Sequence, residues 1–167
     1  QRGIKTVNIV RREGLAEELK SKGADVVLID GPDLAAQIAK ATGNAPVVLA
    51  LDPVGGETYS RLAESLGYSG TLVTYGVLSG QPAILNTGNV IFNDTRLRGF
   101  WLYKWYQSAD MKTKQAAFGE VIPLIVNGTL KANVDSRYSV DEIKQAVTRA
   151  AERGRNGKVL IVPSAGK

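Results

Sequence analysis

Short, nearly unbroken apolar runs alternate along this chain with stretches whose apolar residues recur every three or four positions. Thr6-Val7-Asn8-Ile9-Val10 reads as a strand. Residues 13–22 read as a helix, with Leu15 and Leu19 on one face and Gly23 as its stop. Val26-Val27-Leu28-Ile29 is a continuous apolar run, the pattern of a strand buried on both faces. Residues 34–42 form a second helical period, closed by Gly43, and residues 47–51 a third strand. Tyr59, Leu62, Ala63 and Leu66 share one helical stripe within residues 57–66. Thr71-Leu72-Val73-Thr74-Tyr75 is a fourth strand. The order is therefore β-α-β-α-β-α-β with short connections, which predicts an α/β fold: a Rossmann-like, doubly wound parallel sheet.

The second half is less regular. Residues 97–102 predict a fifth strand that runs into Phe100-Trp101-Leu102-Tyr103-Lys104-Trp105-Tyr106. Residues 112–127 predict a helix with Phe118, Val121, Ile122 and Ile125 on one stripe, bent or broken at Pro123. Ser139 and Glu142 have capping-box spacing and open a helix with Val140, Ile143, Val147 and Ala150 inward. Residues 158–162 predict a last strand.

Composition narrows the function classes. The chain has 167 residues, enough for one domain with a real core. The net charge of +5 is scattered along the chain rather than gathered with aromatics, so an anionic small molecule fits better than nucleic acid. The sequence has no Cys and no His, which excludes a disulfide framework, a Cys/His zinc site and a Ser-His-Asp triad within it. No apolar run approaches the roughly 18 residues that span a bilayer, so no membrane partner is expected. The opening Gln-Arg-Gly points to a fragment of a longer protein.

A dinucleotide site on this fold needs a glycine turn after the first strand. No G-x-G-x-x-G occurs here, so the predicted sheet lacks its first strand and glycine loop. Residues 6–10 then become the second strand, whose end reads the adenosine ribose, and Arg11 and Arg12 stand there. Arginine at this position accommodates a 2′-phosphate; the alternative is a solvated basic turn. Tyr75-Gly76 after the fourth strand offers backbone to a ligand, or is an ordinary turn. Pro53-Val54-Gly55-Gly56 is a tight strand-to-helix turn, or also lines the nicotinamide side. The aromatic run is core or dimer packing with Trp101 and Trp105 on one face, or a wall of the cleft.

These stretches, with Leu97-Arg98-Gly99-Phe100-Trp101-Leu102 and Gly157-Lys158-Val159-Leu160, resemble the medium-chain dehydrogenase/reductase superfamily. Within it they resemble the 2-enoyl thioester reductases. The resemblance implies NADPH as cofactor, with Arg11 and Arg12 on the 2′-phosphate. It places Tyr75, Gly76, Val77 and Leu78 on the nicotinamide half, Phe100, Trp101 and Leu102 along the cleft, and Lys158 closing over the cofactor. It implies zinc-independent reduction of an enoyl thioester, a quinone being the alternative substrate. The catalytic tyrosine would lie in a GroES-like domain that has no counterpart here, so no catalytic residue is assigned. Residues 1–133 would be the partial Rossmann domain, and residues 134–167 a segment returning to the catalytic domain, poorly anchored or repacked in isolation. A homodimer is expected, in a bacterial cytoplasm or a mitochondrial matrix. A non-catalytic binding module is the reading outside enzymology. Loss of a central strand leaves two sheet edges. Direct pairing of the strands at Thr6 and Val47, or cover by a partner chain, is the expected closure.

Overall fold

A computed structural model describes residues 2–152 and 154–163, and these divide into two compact units between Ser108 and Ala109. In the first unit the predicted alternation is present: β1 (Val7–Val10), α1 (Ala16–Ser21), β2 (Val26–Ile29), α2 (Leu34–Ala41), β3 (Leu49–Asp52), α3 (Gly56–Glu64) and β4 (Thr71–Thr74). It continues with α4 (Thr87–Phe92), β5 (Arg96–Gly99) and α5 (Leu102–Ser108). All strand pairs are parallel, so the α/β expectation holds.

The expected direct pairing of the strands at Thr6 and Val47 does not form. β1 pairs with β2 in one sheet, and β3, β4 and β5 form a second, in that order. Both sheets lie under one helical layer. Leu34 and Ile38 of α2, Leu62 and Ala63 of α3, and Leu66, Ala50 and Leu72 make the buried core. Val7 and Ile9 of β1, Leu28 of β2 and Val47 pack against it. Helix packing on the shared face thus holds the two half-sheets without a hydrogen bond between β1 and β3. The other face of β3 is open: Ala50 and Asp52 are buried, whereas Leu49 and Leu51 are 53% and 59% exposed. Ile29 is also exposed, so β2 is not buried on both faces as its apolar run suggests.

The aromatic segment corrects a further expectation. The strand stops at Gly99, and the chain turns into α5, where Trp105 N donates to Trp101 O at 3.0 Å. Trp101 is exposed rather than buried, and its ring sits 5.5 Å from that of Tyr103. Phe100, Leu102, Tyr103 and Tyr106 are exposed as well.

The second unit holds α6 (Met111–Val126), β6 (Val134–Tyr138), α7 (Ile143–Ala151) and β7 (Lys158–Ile161). Asp110 caps α6, its side chain accepting from Thr113 N at 2.6 Å. Pro123 lies inside α6 without ending it, since Asn127 N still reaches Pro123 O at 3.0 Å. The predicted stripe of Phe118, Val121, Ile122 and Ile125 is exposed, and Leu130 beyond it is exposed too. The capping box at Ser139 and Glu142 is present. The sequence predicts that the face of α7 buries Val140, Ile143, Val147 and Ala150. It instead buries Ala146, because the small residue is the one that lets the helix approach β6 and β7. Those strands are parallel, and Arg149 of α7 grips Asp135 of β6 through two hydrogen bonds of 2.7 and 2.8 Å.

Candidate functional site

The carboxyl ends of β3, β4 and β5 are joined beyond the sheet. Tyr75 N donates to Asp52 O at 2.9 Å, Leu78 N to Pro53 O at 3.1 Å and Ser79 N to Val54 O at 2.9 Å. Phe100 N donates to Thr74 O at 2.8 Å. The ladder between parallel strands is in effect carried into the loops, which fixes residues 53–56, 75–79 and 100 against one another.

Asp52 organises the first of these loops. Its carboxylate is fully buried and uses both oxygens: Oδ1 accepts from Val54 N and Oδ2 from Gly55 N, each at 2.9 Å. Two charge-assisted bonds within one tight turn compensate the burial of the charge. The turn requires φ of 74° at Gly55 and 59° at Gly56, a region that side chains rarely adopt. Burial raises the Tyr59 phenol above its ordinary value, and the Asp52 carboxylate pushes it the same way.

Gly76 is needed for a different reason. A Cβ there would lie 2.6 Å from Pro53 O, so only glycine lets the two loops touch. Past that contact the chain opens into solvent: Tyr75, Val77 and Leu78 are 54%, 76% and 75% exposed. An open shelf at the carboxyl ends of parallel strands is where ligands of this fold class bind.

Arg11 and Arg12 follow β1 and are both exposed. The β1–β2 ladder reaches this point, since Asp30 N donates to Val10 O at 2.8 Å. The structure thus brings Tyr75, Gly76, Val77, Leu78 and Phe100 together and runs Trp101 and Leu102 on from Phe100 into α5. Arg11 and Arg12 stand at a strand end of the other sheet of the same unit. Lys158 belongs to the second unit, where it opens β7 and its amide donates to Asn133 O at 2.8 Å.

Asp52 and the pair Asp30 and Arg61 were missed from sequence. Asp52 had a local signal, an Asp closing an apolar run just before Pro-x-Gly-Gly. Asp30 and Arg61 had none, because they are 31 positions apart and meet only in the fold.

The family described as zinc-binding dehydrogenase matches residues 1–122. A mitochondrial enoyl-[acyl-carrier-protein] reductase of Dictyostelium discoideum is 32% identical over 165 residues, 96% of this chain and 47% of that protein. The reductase of the same name from Caenorhabditis elegans is 46% identical over 156 residues, covering 90% of this chain and 44% of that protein. The chain thus spans about half the length of the curated relatives it matches. A solved Etr1p complex with NADP and crotonyl-CoA shares the fold, with a TM-score of 0.80 at 23% identity over 95% of this chain and 47% of that one. Despite the zinc in the family's description, no group of three His, Cys, Asp or Glu that could hold a metal ion occurs among the described residues. What the match carries over is the parallel α/β scaffold and its strand-end loops, and on that match the chain belongs to the zinc-binding dehydrogenase family.

Proposed function

We propose that this chain is the cofactor-binding portion of an NADPH-dependent reductase acting on the C=C bond of an enoyl thioester. The observation that carries the cofactor is the Arg11-Arg12 pair, exposed at the carboxyl end of β1 where the ribose is read. The substrate class rests on the mitochondrial enoyl-[acyl-carrier-protein] reductases among the relatives. When bound, NADPH supplies the hydride that reduces the double bond. Arg11 and Arg12 hold the 2′-phosphate through charge-assisted hydrogen bonds. The backbone of residues 75–78 presents donors and acceptors to the nicotinamide half, held in place by the contact of Gly76 on Pro53. Phe100, Trp101 and Leu102 wall the cleft. The missing central strand and its glycine loop come from another part of the complete protein, as do the catalytic groups. The mitochondrial reductases among the relatives support a mitochondrial location. The exposed aromatics of residues 100–106 support a homodimer surface.

The test is a titration of the complete protein with NADPH and NADH, together with turnover of a crotonyl thioester and a quinone. Arg11→Ala with Arg12→Ala is expected to weaken NADPH by about 10- to 100-fold and leave NADH little changed. Equal loss for both cofactors removes the 2′-phosphate assignment. Turnover of the quinone alone removes the thioester.

A further inference from the structure

We propose that Arg61 tunes the cofactor preference of the basic strand end by masking the Asp30 carboxylate; this rests on Arg11 and Arg12 reading the 2′-phosphate. Ile9 pairs with Leu28 and Val10 with Ile29, so the next step places Arg11 beside Asp30. Val7, Ile9 and Leu28 pack against the shared core, and Asp30, two positions beyond Leu28, reaches Thr58 and Arg61 of α3. The backbone of Asp30 thus lies one strand spacing from that of the arginine that is to receive a phosphate, since Asp30 N donates to Val10 O at 2.8 Å.

Left free, the Asp30 carboxylate would repel a phosphate carrying about −1.5 to −2 charges and would compete for Arg11. It is not free. Thr58 Oγ1 donates to Asp30 Oδ2 at 2.5 Å, and Arg61 Nη1 donates to Oδ1 at 3.1 Å. Its side chain is only 9% exposed and that of Arg61 20%. Glu57, a turn earlier on α3, takes the other end of the guanidinium and holds it in place. Asp30 is thus turned away from solvent and paired with a cation from a different strand-helix unit. Arg61 acts through Asp30, so it is a positioning residue. Its effect belongs in the ratio of NADPH to NADH affinity rather than in turnover.

The experiment measures both affinities and the melting temperature in the complete protein. Arg61→Gln is expected to weaken NADPH about five-fold, with NADH within about two-fold. Arg61→Lys keeps the masking charge and is expected to keep most of the preference. Asp30→Asn combined with R61Q removes the carboxylate and is expected to restore NADPH binding. Equal loss for both cofactors in R61Q, or no recovery in the double variant, overturns the proposal. If R61Q does not fold, Asp30→Asn alone decides: NADPH binding no weaker than the parent's supports masking, and selective loss of NADPH overturns it. The R11A/R12A variant in the same titration separates the layers. Selective loss there with an unmoved ratio in R61Q leaves the phosphate site standing and removes only the role of Arg61.

Discussion

A single hydrogen atom decides the shape of the strand-end loops. Gly76→Ala would set a methyl 2.6 Å from Pro53 O, and backbone on both sides leaves little room to yield. The expected result is a loss of about 1–3 kcal/mol, read as a lower melting temperature, with weaker binding of both cofactors alike. That evenness distinguishes it from the arginine variants, which act on one cofactor only. At this scale the sequence was readable where chemistry is local. Tyr75-Gly76 and Gly55-Gly56 announce turns because glycine follows a strand. The burial of Asp52 was not readable, since an Asp before Pro looks the same whether its carboxylate faces water or two amides. Asp135 shows how far a local pair reaches. Arg149 holds its carboxyl below the ordinary value of 3.8. The stabilisation is complete above that ordinary value and lost as pH falls through the lowered one. Asp135→Asn is therefore expected to destabilise the second unit at neutral pH and to flatten its acid transition, measured by circular dichroism against pH.

Elements were legible where amphipathic period and strand length agree. The first seven, β1 to β4 with their helices, follow the apolar pattern within a few residues. The aromatic run misled because Phe, Trp and Tyr suit strands and helix faces alike, and nothing in it marks Gly99 as the stop. On α7 the large apolar side chains mark one face in the sequence, while the packing face belongs to Ala146. The pairing of half-sheets could not be read at all, because it depends on α2 and α3 filling one core across both sheets. On β1 the carbonyls of Thr6 and Val10 accept from β2, so strand alternation directs the amides of Val7 and Ile9 to the opposite edge. By the same alternation, Val48 O and Asp52 O face β4, and the amides of Leu49 and Leu51 turn the other way. Hydrogen exchange at Ile9 and Leu51 is expected to be fast in this chain alone and slowed many-fold in the complete protein. Equal rates in the two would argue against a strand seated between β1 and β3.

For the whole molecule, the chain is a scaffold prepared on one side. Parallel sheets occur almost only with both faces covered, yet Leu49 and Leu51 lie open here. Under the proposed function, residues outside this chain cover that face. The separation of β1 from β3 also sets an order in time. A strand seated in the middle of a parallel sheet makes contacts distant in sequence, and such contacts are slow to form. Two sheets already held over one core by α2 and α3 present formed edges for such a strand to pair with. Under the proposed function, seating that strand is a late docking step onto edges already formed.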